Sequence, residues 1–255
     1  MVTRIRAALN EGQRLIEPFT GSAAVFLNTE FEEYILADTN PDLIQLYQQL
    51  VNEEKPFIRY CQTFFSEKNN VEEHYYLFRD EFNRTNNNRR KAALFLYLNR
   101  HCYNGLCRYN SKGKFNTPFG RYTKPYFPKK EMEHFIDVAG KATFINTSFY
   151  DSMQMARPGD TVYCDPPYAP LSSTAYFTDY HSNGFDWDDQ LMLAETAQKL
   201  AEQGVRVVIS NHDTKQIRTL YKESGAKLNR FQASRTISCN VDNRKKVGEL
   251  LAIFN

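Results

Sequence analysis

A chain of 255 residues with 42% hydrophobic content can build one sizeable core, or a core domain that carries a smaller insert. No apolar run approaches the roughly 20 residues needed to cross a bilayer, and the basic opening from Met1 to Asn10 lacks the apolar stretch of a signal, so a cytoplasmic protein is expected. The net charge of +2 argues for no particular partner, and the five cysteines (Cys61, Cys102, Cys107, Cys164, Cys239) are odd in number and lack metal-ligand spacing, which excludes a disulfide framework and leaves no zinc site.

In chain order, apolar β-rich runs recur at Arg14 to Phe19, Tyr34 to Asp38, Thr143 to Ser148, Thr161 to Asp165 and Val205 to Ser210, with helical patterns between several of them. That alternation predicts a parallel α/β sheet. After the second run, Asn40 is placed to cap a helix with Pro41 at its first position, and Leu43, Leu46, Tyr47 and Leu50 share one face. Between about Asn52 and Lys141 the strand rhythm stops, and the sequence turns helical, basic and then rich in Asn, Gly and Pro. This predicts an inserted domain over 52–141 within a domain formed by 1–51 and 142–255. A later helix is predicted from Asp186, its cap, to Gly204, with Leu193, Ala197 and Leu200 buried. Two last strands, Phe231 to Ile237 and Val247 to Phe254, flank a polar, basic loop.

Charge is concentrated in the insert: Arg79 to Lys130 holds 13 Lys and Arg against two acids, Asp80 and Glu81, which leaves the remainder at −9. Tyr97, Tyr103, Tyr109, Phe115, Phe119, Tyr122 and Tyr126 interleave with these bases, the pattern of a surface that follows a phosphate backbone and contacts bases. A solvated helix–loop region with incidental charge reads the same way.

The most specific signal is Asp165-Pro166-Pro167-Tyr168 at the end of an apolar run. Ligands of open α/β sheets bind at the carboxyl ends of strands. By average usage this tetrapeptide arises by chance in about one chain of this length in a thousand, so a rigid turn with an aspartate cap is the weaker reading. An exocyclic amine is a poor nucleophile because its lone pair is delocalised into the ring. A carboxylate and a backbone carbonyl that accept both N–H groups hold that nitrogen toward a methyl donor, and Asp165 with the Pro166 carbonyl are the candidates. Tyr168 offers a ring face on which an extracted base stacks. A second, weaker signal pairs the small-residue turn Glu17-Pro18-Phe19-Thr20-Gly21-Ser22 with Asp38, 17 residues beyond Gly21, a spacing suited to a ribose-binding acid.

Together these motifs resemble the Dam family of DNA adenine methyltransferases, the D12 class, over nearly the whole chain, in the order cofactor turn, recognition domain, Asp-Pro-Pro-Tyr. Leu98 to Asn110, Phe115 to Tyr122, Ile209 to Asp213 and Arg244-Lys245-Lys246 also match. The resemblance implies a Rossmann-like α/β sheet with a mainly helical target-recognition insert. It also implies methyl transfer from S-adenosylmethionine to N6 of adenine in double-stranded DNA, within GATC, after base flipping. Phe19, Gly21, Asp38, Ser148, Phe149 and Asp165 match its cofactor positions. Arg108 matches the arginine that reads guanine, Leu106 and Pro118 the positions that meet the thymine methyl, and Tyr103 the aromatic inserted into the base stack. Arg79, Arg100, Asn110, Asn116 and Arg121 match phosphate contacts, and Asn104 and Tyr122 belong to the same DNA-binding stretch. The lack of a Pro-Cys motif agrees with direct transfer, since attack on cytosine C5 needs a thiol. No obligatory protein partner is implied; a solitary role, linked to replication and mismatch repair in the bacterial cytoplasm, is.

Two departures stand out. The family's Trp-Ala-Gly-Gly-Lys segment before the first strand is not present, and its second turn glycine is Ala23 here. Both leave open a rival reading, a GATC-binding protein of weak or no catalytic activity. A methyltransferase acting on cytosine N4 or on another DNA sequence shares the motif, and a small-molecule or protein methyltransferase explains the motif but not the basic insert.

Overall fold

The computed structural model describes residues 2–9, 12–167, 185–233 and 247–255. The chain divides into one unit of Met1–Thr39 with Thr147–Asn255 and a second of Asn40–Asn146. The expected boundaries at 52 and 141 therefore fall inside the second unit, which also takes in the helix after the second strand and the strand that follows the insert.

The first unit is built on strands β1 (Arg14–Glu17), β2 (Glu33–Asp38), β4 (Thr161–Cys164), β5 (Arg206–His212), β6 (Lys227–Ala233) and β7 (Val247–Phe254). Their order is β2-β1-β4-β5-β7-β6. β2, β1, β4 and β5 are parallel, and β7 runs antiparallel between β5 and β6. All four residues of β4 are buried, as expected of a parallel strand covered on both faces. Part of the strand expected at Phe231 to Ile237 lies outside the described residues, and β6 begins earlier, at Lys227.

Helix α1 (Val2–Leu9) was not foreseen from its basic sequence. It buries Ile5, Ala8 and Leu9 and packs on β4, β5 and β7. α6 (Phe149–Met153), α7 (Trp187–Glu202) and α8 (Lys215–Glu223) complete this unit. α7 starts where expected: the Asp186 carboxylate accepts from the Asp188 and Asp189 N–H groups, and Asp189 returns a bond to the Asp186 N–H. Leu193, Ala194, Ala197 and Leu200 then pack with Val162, Val207, Ile209, Leu250 and Phe254 of the sheet. Each large aliphatic side chain so buried contributes about 1.5–3 kcal/mol. The helix ends at Gly204, whose φ of +82° is the left-handed conformation glycine adopts without strain.

In the second unit, α2 (Pro41–Gln62) is capped by Asn40 Oδ1, which accepts from Asp42 N at 3.0 Å and Leu43 N at 3.3 Å. Ile44, Leu46, Tyr47 and Leu50 are buried, and Leu43 only partly, so the stripe lies slightly off the expected face. The helix is broken at Glu54, where φ is +50°. Pro56 lies just beyond, with no N–H to continue the ladder and a ring that excludes helical backbone before it. α3 (Glu72–Phe82), α4 (Asn88–His101), α5 (Lys129–Ala139) and strand β3 (Ala142–Asn146) follow. Among the described residues no helix is long and apolar enough to cross a membrane.

Candidate active site

The parallel strands of the first unit present their carboxyl ends at one edge, and each of those ends carries an acid; Asp213 follows β5 and is paired with Arg218 and Arg230. Glu17 ends β1, Asp38 ends β2, and Asp165 follows β4. β1 pairs with β2 on one side and β4 on the other, the switch point at which open α/β sheets bind ligands.

The turn after β1 is held to this edge by short bonds. Thr20 N donates to Ala37 O at 2.9 Å, and Gly21 N donates to Asp38 Oδ2 at 3.1 Å. The two halves of the expected cofactor signal, Gly21 and Asp38, are thus brought together. Gly21 has φ +48°, and a β-carbon built there would meet nothing within 4 Å, so its side opens to space. Ala23 also has positive φ, +58°, although it is fully buried and carries a β-carbon. The departure from the family's glycine is accommodated at a cost of about 1–2 kcal/mol in backbone strain.

Asp165 is exposed, and its Oδ1 accepts a 2.6 Å bond from Ser210 Oγ. Ser210 lies on β5, is fully buried, and is 3.2 Å from the Tyr163 hydroxyl. The register explains the meeting: Cys164 is opposite Ile209, so the next residues on each strand, Asp165 and Ser210, are neighbours although 45 positions apart in sequence. Sequence reading placed Ser210 in the family-like stretch Ile209 to Asp213 without a role, because nothing local to a serine in an apolar run announces a partner on another strand. Pro167 O receives Gln190 Nε2 at 3.5 Å, and Gln190 Oε1 in turn accepts from Tyr221 at 3.0 Å and Asn211 at 3.3 Å. Those three buried side chains tie the two-proline loop to α7, α8 and β5. Cys164 is fully buried, which pushes its thiol well above the ordinary range, so it supplies no nucleophile. Tyr168 and Arg244 to Lys246 lie outside the described residues.

Phe19 stacks on Phe149 with ring centroids 5.5 Å apart, and Phe185 meets both edge-on. Ser148 Oγ caps α6, accepting from Asp151 N at 3.1 Å, so its hydroxyl is engaged within the protein.

The second unit presents the basic, aromatic stretch as a hairpin-like loop. Cys102 bridges Phe119, and Tyr109 bridges Phe115. At the tip, Asn110 Oδ1 accepts from the N–H groups of Lys112 and Lys114 at 2.9 and 3.1 Å. Below it, Thr117 Oγ1 donates to Leu106 O at 2.6 Å. Gly120 admits no substitute, since a β-carbon there would lie 2.6 Å from the Cys102 carbonyl oxygen. Arg108 is exposed and braced: its Nε donates to Asn116 Oδ1 at 2.8 Å and its Nη2 to Asn116 O at 3.3 Å. Tyr103, Leu106, Tyr122 and Tyr126 are all exposed, and Tyr122 Oη accepts from Asn104 N at 3.0 Å.

The remaining bases differ in setting. Arg79 is half-buried, donating to Thr117 O at 3.3 Å, so it supports the loop from beneath. Arg121 faces Glu72 at 3.5 Å, and Arg100 lies over the Tyr126 ring. His101 is buried and stacked on Tyr97 at 3.8 Å, and burial pushes its pKa down to about 4. It is neutral at physiological pH and adds nothing to the positive field.

This sheet order, with its antiparallel seventh strand and its acids at the switch point, defines a Rossmann-like methyltransferase fold. The family model for D12 class N6 adenine-specific DNA methyltransferases matches residues 1–237. Over 255 residues the chain is 51% identical to the DNA adenine methylase of Serratia marcescens and 50% identical to that of Vibrio cholerae, covering 94% and 91% of those proteins and 100% of itself. It is 50% identical over 250 residues to the Escherichia coli K12 enzyme, covering 98% of this chain and 89% of that one. The chain belongs to the D12 class of N6 adenine-specific DNA methyltransferases.

Proposed function

We propose that this chain transfers a methyl group from S-adenosylmethionine to N6 of adenine in double-stranded DNA, within GATC, after the base leaves the helix. The observation that carries this reading is the Asp165 carboxylate held by Ser210 at the switch-point edge, beside the Gly21–Asp38 turn.

The residues at that edge fit the cofactor. An acid ends β2 where a ribose hydroxyl needs an acceptor, the open side of Gly21 lets a ligand lie against backbone, and one oxygen of the buried Glu17 carboxyl lacks a hydrogen-bond partner among the described residues. We assign its holding to Phe19, Gly21, Asp38, Ser148, Phe149 and Asp165. When bound, its sulfonium supplies an activated methyl group. Asp165 accepts one N6–H of the target adenine and the Pro166 carbonyl the other, which aims the nitrogen lone pair and draws charge toward the developing cation. The rigid prolines hold both acceptors in place, and Tyr168 stacks on the extruded base.

Recognition is assigned to the second unit. Braced by Asn116, Arg108 presents a guanidinium for guanine O6 and N7, and the exposed Leu106 and Pro118 suit the thymine methyl. Tyr103 is exposed and fills the gap left by adenine. Arg100, Arg121 and Tyr122 contact the backbone, with Asn104, Asn110 and Asn116 shaping the loop that carries them.

The test is transfer of labelled methyl groups from S-adenosylmethionine to two duplexes, one with GATC and one with its adenine replaced. Transfer to the first alone is expected. Binding to GATC with no transfer to either duplex would leave a DNA-binding protein instead. Ser210→Ala removes a charge-assisted bond worth about 1.5–3 kcal/mol and is expected to lower turnover about 10- to 100-fold with a much smaller change in cofactor affinity, while Ser210→Thr keeps most activity. Single-turnover rates and equilibrium dialysis separate the two effects.

A further inference from the structure

Glu17 is an acid at the strand-end edge that the proposed chemistry leaves without a role. It closes β1, is only 2% exposed, and its Oε1 has no hydrogen-bond partner among the described residues. The Phe26 N–H bonds the carboxyl. A carboxylate in that position is costly, because burial removes its hydration and one bond does not replace it.

One other acid on this edge makes ionisation harder. From β4, the Asp165 carboxylate opposes it. The Tyr163 hydroxyl of the same strand is 3.2 Å from Ser210, and on β2 the Asp38 carboxylate accepts from the Gly21 N–H. Burial first, and Asp165 to a lesser degree, push Glu17 up to about 8.

We propose that Glu17 couples cofactor charge to a proton: it is a neutral acid in the cofactor-free chain, ionises when the sulfonium cation settles against the β1 turn, and is neutral again beside the thioether product. This rests on the turn being the S-adenosylmethionine site. On binding, the carboxyl O–H breaks and its proton passes to solvent, leaving an anion beside a cation. After transfer the sulfur is neutral, the anion loses its counter-charge and a proton returns from solvent. Glu17 is thus a specificity residue that favours substrate cofactor over spent cofactor, and the preference grows with pH up to about 8.

Calorimetric titration of the whole chain at pH 7, in phosphate and in Tris, measures protons exchanged on binding. S-adenosylmethionine is expected to release most of one proton, S-adenosylhomocysteine markedly less. Affinity for S-adenosylmethionine should rise by up to about tenfold per pH unit between pH 6 and 8. Glu17→Gln, which mimics the neutral acid in shape, should cancel the difference in proton release and flatten that slope. Equal proton release for both ligands, or release that persists in Glu17→Gln, would overturn the proposal. The parent chain alone decides the first point, so the variant's folding is not critical. Failure of S-adenosylmethionine to bind would sink the cofactor-site reading and this inference together, whereas binding without proton exchange would sink this inference only.

Discussion

Asp165→Ala is expected to lower methyl transfer by about 10³-fold or more while leaving duplex binding near its parent level. A carboxylate repels rather than holds phosphates, and its Oδ1 is already fixed by Ser210. On the proposed reading it supplies an acceptor for N6–H whose value grows as positive charge develops on nitrogen, so its loss is expected to fall on the chemical step. Asp165→Asn makes the sharper comparison. It keeps shape and one acceptor oxygen but brings an amide N–H group, which either opposes the substrate amine or forfeits the Ser210 bond. A loss nearly as large as that of alanine is expected. Single-turnover transfer of labelled methyl, run beside fluorescence-anisotropy titration of a GATC duplex, checks both halves; near-normal turnover in either variant would refute the assignment.

The second large effect belongs to Arg108. Arg108→Ala should lower kcat/KM on GATC by about 10- to 100-fold, and the loss should vanish when the guanine it reads lacks its N7 acceptor. The side chain costs little to organise, because Asn116 already holds its Nε and Nη2 in the free protein. Arg108→Lys retains a positive charge without the planar fork, and it is expected to keep the salt dependence of binding while losing discrimination. Comparing normal and 7-deazaguanine duplexes at two salt concentrations separates these terms. An equal loss on both duplexes would make Arg108 a backbone contact.

Local chemistry made much of the fold legible in sequence. Asn40 before Pro41 and Asp186 before Trp187 are caps whose bonds close within three residues, and Gly204 stops a helix by its own backbone freedom. The mostly apolar run of β4 and the Asp-Pro-Pro after it located the strand edge. What escaped depends on partners far along the chain. Ser210 meets Asp165 only through the register of β4 on β5, and Glu17 matters because of what surrounds the end of β1. Periodicity put Leu43 on the buried face and passed over Ile44, one position away on a helix whose neighbours decide the matter. Arg79 was matched to a phosphate contact, yet burial separates it from the exposed Arg108: Arg79 is half-buried and donates to the loop at Thr117 O. The family resemblance supplied roles that residue chemistry alone left open, and Ala23, noted as a departure, holds the left-handed backbone that a glycine would adopt.

Gly120 carries a consequence for how such a reader of DNA can change. Its backbone lies so close to the Cys102 carbonyl that any side chain would part the two legs of the loop. Leu106, Arg108 and Pro118 are exposed on those legs, and of the three only the Arg108 side chain is bonded across them, to Asn116. Descendants with a different target sequence are thus expected to vary at the three exposed positions and to keep the glycine, so the loop behaves as a fixed frame with replaceable letters.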